Sequence, residues 1–123
     1  MNKLVKTVKK TDLYREFLKS LDGVLQLTTR EQDLMVLLID IDINTPKLPG
    51  YSKNVISTEN RRYLKAATGI TSDNLSRYIG KLRDKGLIIK GKADDEWMVN
   101  PALIPEIIGD RVQLTIVLRL EKE

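Results

Sequence analysis

Between Thr71 and Gly86 the chain places side chains that donate and accept hydrogen bonds at helical spacing. At about 100° per residue, Leu75, Tyr78, Ile79 and Leu82 share one narrow arc, as a core-facing stripe does. Asp73, Asn74, Ser76, Arg77, Gly80 and Lys81 occupy the other side, most of them toward the N-terminal end. These residue types suit the edges of base pairs. Arginine can give two parallel bonds to guanine, and the asparagine amide can do likewise with adenine. A helix N-terminus also favours phosphate. A solvated surface helix shows a polar outward face too, so both readings stay open. Gly80 costs about 1 kcal/mol relative to alanine in mid-helix; it fits either close approach by another backbone or tolerated drift.

Further cations flank this stretch. Asn60, Arg61, Arg62 and Lys65 lie just upstream on a second predicted helix, with Tyr51 and Lys53 before it. All could contact phosphate, which positions a protein on a duplex without reading its sequence. Downstream, Lys85, Lys90 and Lys92 flank a turn that also carries Asp94, Asp95 and Glu96. Acids repel phosphate, so either this turn stays clear of a nucleic-acid backbone or its acids face away. Simple solvation is the competing reading for every one of these cations.

Other chemistries find little support. The 123 residues include no cysteine and no histidine, which excludes a disulfide framework, a zinc finger and a Cys/His nucleophile pair. That composition also suits a reducing cytoplasm. Asp40 and Asp42 resemble alternating carboxylates of metal-dependent phosphoryl transfer, but no glycine-rich phosphate loop or third well-placed acid accompanies them. They read as structural or solvated acids. Asp94, Asp95 and Glu96 lack calcium-loop spacing. No catalysis, cofactor or metal is therefore expected. Lys and Arg outnumber Asp and Glu by 21 to 17, a net charge of +4, which permits an acidic partner without requiring one. No apolar run approaches the ~20 residues that span a bilayer, and the start of the chain lacks the apolar stretch of a signal peptide. A cytoplasmic protein with no membrane partner is the expectation.

The elements that must hold these residues follow from local signals. Aromatics are only 5% of the chain, so the core falls to Leu, Ile and Val. Residues 1–10 read as a basic arm or an edge strand. Over 12–27, Leu13, Tyr14, Phe17, Leu18 and Leu21 have the spacing of an amphipathic helix closed near Gly23, with a strand around Leu13 to Leu18 as the alternative. Thr28 and Glu31 form a capping-box pair that opens a helix over about 29–41. A proline-rich loop at 44–53 leads to a short strand near Val55 and Ile56, and a second helix runs from Ser57 or Thr58 to about Ala67. Thr71 caps the third helix and Gly86 sits where a left-handed glycine ends one. Two β-prone runs, 87–90 and 97–99, make a hairpin, and a helical turn is expected over 102–108. From Arg111 to Leu120 apolar and polar residues alternate, predicting a strand.

Helix, short strand, helix, turn, helix and hairpin in that order make the winged helix-turn-helix plan, an α+β fold with a three-helix core and a β-hairpin wing. The expected domain is single over 1–123, with a core of about 28–101, an arm and helix over 1–27, and a C-terminal strand over 111–120. Residues 68–88, closing in Leu82, Gly86, Leu87 and Ile88, resemble the turn and recognition helix of bacterial winged-helix proteins, including the MarR type. A wider likeness, over about 12–105, is to plasmid replication proteins of the RepL type, carried by the 29–41 helix and by Trp97, Met98, Val99, Asn100 and Pro101. That resemblance implies origin binding in plasmid or phage replication; the 111–120 strand lies outside it. The partner expected is double-stranded DNA, read by Ser72, Asp73, Asn74, Ser76, Arg77 and Lys81. Arg61, Arg62, Lys65, Lys53, Lys90 and Lys92 would grip the backbone, in a transcriptional regulator or a replication initiator. The alternative is a winged-helix module that docks proteins and binds no DNA. A strand as apolar as 111–120 needs a partner, and a homodimer formed through it would set two recognition helices about one DNA turn apart.

Overall fold

The computed structural model describes residues 4–122 and has an α+β architecture. Helices α1 (Leu13–Ser20), α2 (Asp22–Leu25), α3 (Thr29–Asn44), α4 (Thr58–Thr68) and α5 (Ser72–Asp84) precede two small antiparallel hairpins. The first joins β1 (Ile88–Lys90) to β2 (Trp97–Val99), and the second joins β3 (Ile107–Ile108) to β4 (Arg111–Val112). Among the described residues no helix is long and apolar enough to cross a membrane.

Helix α3 is the spine. Its capping box forms as the Thr28 and Glu31 spacing predicts: the Glu31 N–H donates to Thr28 Oγ1 at 3.2 Å and the Thr28 N–H to Glu31 Oε1 at 2.9 Å. Leu34, Met35, Leu38 and Ile39 are fully buried and meet Leu64 of α4, Leu75, Ile79 and Leu82 of α5, Leu87, Ile88 of β1 and Val99 of β2. The helix runs one turn past Ile41 because Asp42 is also buried. It stops where Pro46 forces Thr45 into extended backbone.

Asp42 holds three segments together. Its Oδ2 accepts the Val99 N–H at 2.9 Å, and its Oδ1 accepts the Lys53 ammonium at 3.1 Å, which also donates to the Asp42 carbonyl at 3.0 Å. The end of α3, the end of β2 and the approach to α4 thus meet on one carboxylate. The short strand expected near Val55 is reduced to a parallel bridge beside the hairpin, in which Trp97 N–H donates to Lys53 O at 2.9 Å and Val55 N–H to Trp97 O at 3.0 Å.

A second ionic tie closes the other end. Lys85, just after α5, donates to Gln26 O at 2.9 Å and to Glu31 Oε1 at 3.2 Å. Burial pushes the Glu31 carboxyl up, but the Thr28 N–H, the Lys85 ammonium and the Thr28 hydroxyl together hold it below its ordinary value.

Both chain ends depart from the periodicity. The helix expected over 12–27 breaks at Leu21 into α1 and the single turn α2, and the residue in left-handed backbone is Gln26 (φ 51°), not Gly23. Asp22 closes the far end of α2, its Oδ1 accepting the Leu27 N–H at 3.1 Å just beyond Gln26. In place of the helical turn expected over 102–108 there is a 3-10 turn at Pro101–Leu103 followed by β3. The strand expected over 111–120 is regular only at Arg111–Val112, paired with Ile108 and Ile107. Glu106 and Pro105 stand where that ladder would continue, and proline has no N–H to give it. Residues 113–122 pair with no strand among the described residues.

Asp42→Asn supplies one acceptor and one donor where Val99 and Lys53 both donate. Urea unfolding should show a loss of about 3–5 kcal/mol, the usual result of breaking a buried ion pair. Glu31 adds a pH dependence. Because its folded carboxyl titrates below its ordinary value, its contribution is complete above that ordinary value and is lost as pH falls through the lower folded value. The stability gap between the native chain and Glu31→Gln, followed by urea melts from neutral to acid pH, should therefore be largest near neutrality and close in acid.

Candidate nucleic-acid interface

Helix α5 carries the site because both of its ends are fixed by the sequence. Thr71 Oγ1 accepts the Asn74 N–H at 3.4 Å, and at the far end Gly86 (φ 77°) turns the chain so that Leu87 N–H donates to Leu82 O at 2.9 Å. Leu75, Ile79 and Leu82 are 2% exposed or less, which fixes the helix's rotation about its axis. Ser72, Asp73, Asn74, Ser76, Arg77 and Lys81 are all exposed as a result. The outward face inferred from helical spacing is the face that solvent meets.

Two of these side chains are coupled. Arg77 Nη2 donates to Asn74 Oδ1 at 2.6 Å, so the amide oxygen steadies the guanidinium. The bond leaves Arg77 with further donors for a guanine edge. It also occupies the oxygen that Asn74 would need to receive adenine's amino group. Lys81 lies 6.0 Å from the centre of the Tyr78 ring, at the margin of a cation–π contact.

Helix α4 lies alongside with its cations unevenly committed. Ser57 caps it, its Oγ accepting the Asn60 N–H at 3.2 Å, and Gly69 (φ 74°) ends it before the turn into α5. Asn60 also donates to Asn54 O at 2.9 Å, which ties the cap to the bridge segment. Arg61 is partly spent within the fold, Nε donating to Ile56 O at 2.9 Å and Nη1 reaching Ser76 Oγ at 3.4 Å. Lys65 donates to Ser72 Oγ at 2.9 Å, which holds an ammonium beside the first turn of α5. Arg62 is exposed. Lys53 is placed differently from a phosphate contact: its ammonium is turned inward onto Asp42, with 15% of the side chain exposed. Tyr51, its neighbour two residues before, is 76% exposed.

In the β1–β2 hairpin the three acids separate. Glu96 is buried, its Oε1 accepting the Lys92 N–H at 3.2 Å and lying 3.9 Å from the Lys47 ammonium. It folds over Gly91, where any Cβ would collide with the Glu96 carboxylate. Asp94 and Asp95 stay exposed, Asp94 lying 3.8 Å from Lys90. Lys92 is exposed as well. The hairpin tip therefore mixes both signs and is not a basic prong.

Sequence spacing did not single out Arg83. Its guanidinium sits 4.4 Å from the centre of the Trp97 ring and docks the end of α5 on the hairpin. The only signal for it was an arginine and a lone tryptophan near the two ends of one helix–hairpin unit. Among the described residues no group of three or more His, Cys, Asp or Glu side chains is placed to hold a metal ion. A Cβ built on Gly80 meets nothing within 4 Å, so no part of this chain requires a glycine there. No family model matches this chain, and no curated protein or solved structure matches it at a significant level.

Proposed function

We propose that the chain is a winged helix-turn-helix protein that binds double-stranded DNA sequence-specifically, with α5 lying in the major groove and the β1–β2 hairpin as its wing. The observation that carries this is the exposed N-terminal half of α5, where Asn74 and Arg77 stand prearranged on a helix whose rotation is locked by Leu75, Ile79 and Leu82. The order α3, bridge strand, α4, turn, α5, hairpin supports the fold assignment. In this reading Arg77, steadied by Asn74, takes a guanine edge. Arg62 and Lys65 on α4 contact phosphates, with the Lys65 ammonium beside the α5 N-terminus where an anion is already favoured. Lys53 serves the fold and not the backbone. Asp94 and Asp95 keep the wing tip off the phosphates, so Lys90 and Lys92 contribute little. The biological role is transcriptional regulation or replication initiation in a bacterial, plasmid or phage setting.

Selection of bound sequences from random duplexes, read by mobility shift at two salt concentrations, tests the proposal directly. A defined motif should emerge; no duplex binding at low salt would make the chain a protein-docking module instead. Against the selected site, Arg77→Ala should weaken binding by about 1–3 kcal/mol and relax one base position. Arg62→Ala should weaken binding to all sequences alike and lower the salt slope by about 1. Arg62 is the better probe than Arg61, whose loss would also unpair the Ile56 carbonyl. Gly80→Ala should stabilise the free protein by up to about 1 kcal/mol yet reduce affinity for the selected duplex, as expected where a DNA backbone comes close.

A further inference from the structure

The segment after β4 carries alternating apolar residues that remain exposed among the described residues. Along it exposure climbs from 38% at Leu114 and 50% at Ile116 to 84% at Leu118 and 95% at Leu120. One edge of β4 is bonded to β3, and among the described residues no strand pairs with its other edge. We infer that this segment pairs antiparallel with the same segment of a second copy, about a two-fold axis at Ile116. The two hairpins then join into one four-stranded sheet in which β3 and β4 of one copy continue into β4 and β3 of the other.

Charge and register select this pairing. With the axis at Ile116, Arg111 lies opposite the partner's Glu121, a pair that the symmetry repeats. Val112 meets the partner's Leu120, and Leu114 the partner's Leu118, so every even-numbered apolar residue shares one face of the sheet. Moving the axis by one residue in either direction opposes Arg111 to Arg119 or Val112 to Lys122. Moving it by half a residue opposes residues of opposite faces. A parallel pairing in register stacks Arg111 on Arg111, which like-charge repulsion disfavours.

The apolar face also has a floor to run onto. Val112 and Leu114 line a groove of about 1140 Å³ whose far wall is Val8, Leu13 and Phe17. The N-terminal arm, which adds Val8 to the α1 residues of that wall, is held to α1 by Lys6 and Glu16 at 2.7 Å. Two strands alone would be marginal in water, whereas four with one apolar face packed on such a wall reach the size at which sheets become stable. This pairing is independent of what α5 binds.

The native chain contains no cysteine, so single cysteines report the register cleanly. Directly opposed strand residues lie about 4.5–5.5 Å apart at Cα, within disulfide reach. Sedimentation equilibrium of the full chain should give twice the 14.0 kDa chain mass. Under mild oxidation Ile116→Cys should cross-link to itself readily. Leu114→Cys alone should not, while a mixture of Leu114→Cys and Leu118→Cys chains should. Arg111→Glu should weaken dimerisation by about tenfold, and adding Glu121→Arg should restore it. All these positions except Leu114 are well exposed in a single chain, so folding is not at stake. A chain that sediments as a monomer at every concentration overturns the proposal, as does self-linking of Leu114→Cys at the rate of Ile116→Cys, or a double charge swap that fails to restore association.

Discussion

Asp42 sits at the last turn of α3 with its side chain about nine-tenths buried, and its two carboxylate oxygens accept from β2 and from Lys53. A buried carboxylate is costly unless each oxygen finds a donor and its charge a partner. Here one N–H and one ammonium meet both needs. The consequence spreads through the fold. Lys53 brings the loop back to α3, its backbone bonds Trp97, and the bridge at Asn54 puts Val55 and Ile56 into the core just ahead of the Ser57 cap. The position of α4 against α3, and of α5 against α4, follows from where that loop is pinned.

The two ionic ties lie at opposite ends of α3 and differ in kind. Asp42 joins segments whose order in the chain makes them distant, β2 lying 57 residues away. Glu31 serves first as half of a local cap and only then as the acceptor for Lys85. Between them α3 is a fixed rod, and the apolar side of α5 packs on a surface that cannot easily turn. That rigidity gives the Asn74 and Arg77 pair a defined direction, because the surface on which the pair stands is held by charge and by packing at once.

Local signals made most of this legible. Capping residues Thr28, Ser57 and Thr71, the glycine after α5, and the apolar stripe of α5 each depend on neighbours within one or two turns, and each behaves as its spacing implies. Long-range chemistry was not readable in the same way. From sequence Asp42 reads only as a structural or solvated acid, and nothing near it in sequence points to Val99. Lys53 looked like one more basic residue before a helix until the tertiary fold turned it inward. Glu96 reads from sequence as part of an acidic tip, but Gly91 leaves room for its carboxylate to fold over the backbone there. The alternation over 111–120 gave the right backbone tendency at Arg111–Val112, while a strand also needs a neighbour with free N–H groups, and Pro105 removes the one within the chain.

Trp97 is the single tryptophan of the chain, and its surroundings give it a use beyond packing. Its backbone bonds the Lys53 and Val55 segment, its strand partner is Lys90, and Arg83 lies over its ring. The indole therefore stands where α5, the hairpin and the bridge segment converge, under a cation that will perturb its emission. Any event that shifts α5 against the hairpin must change that cation's distance from the ring. The molecule thus carries a built-in optical gauge of its helix–hairpin geometry, read without a label and without altering a residue.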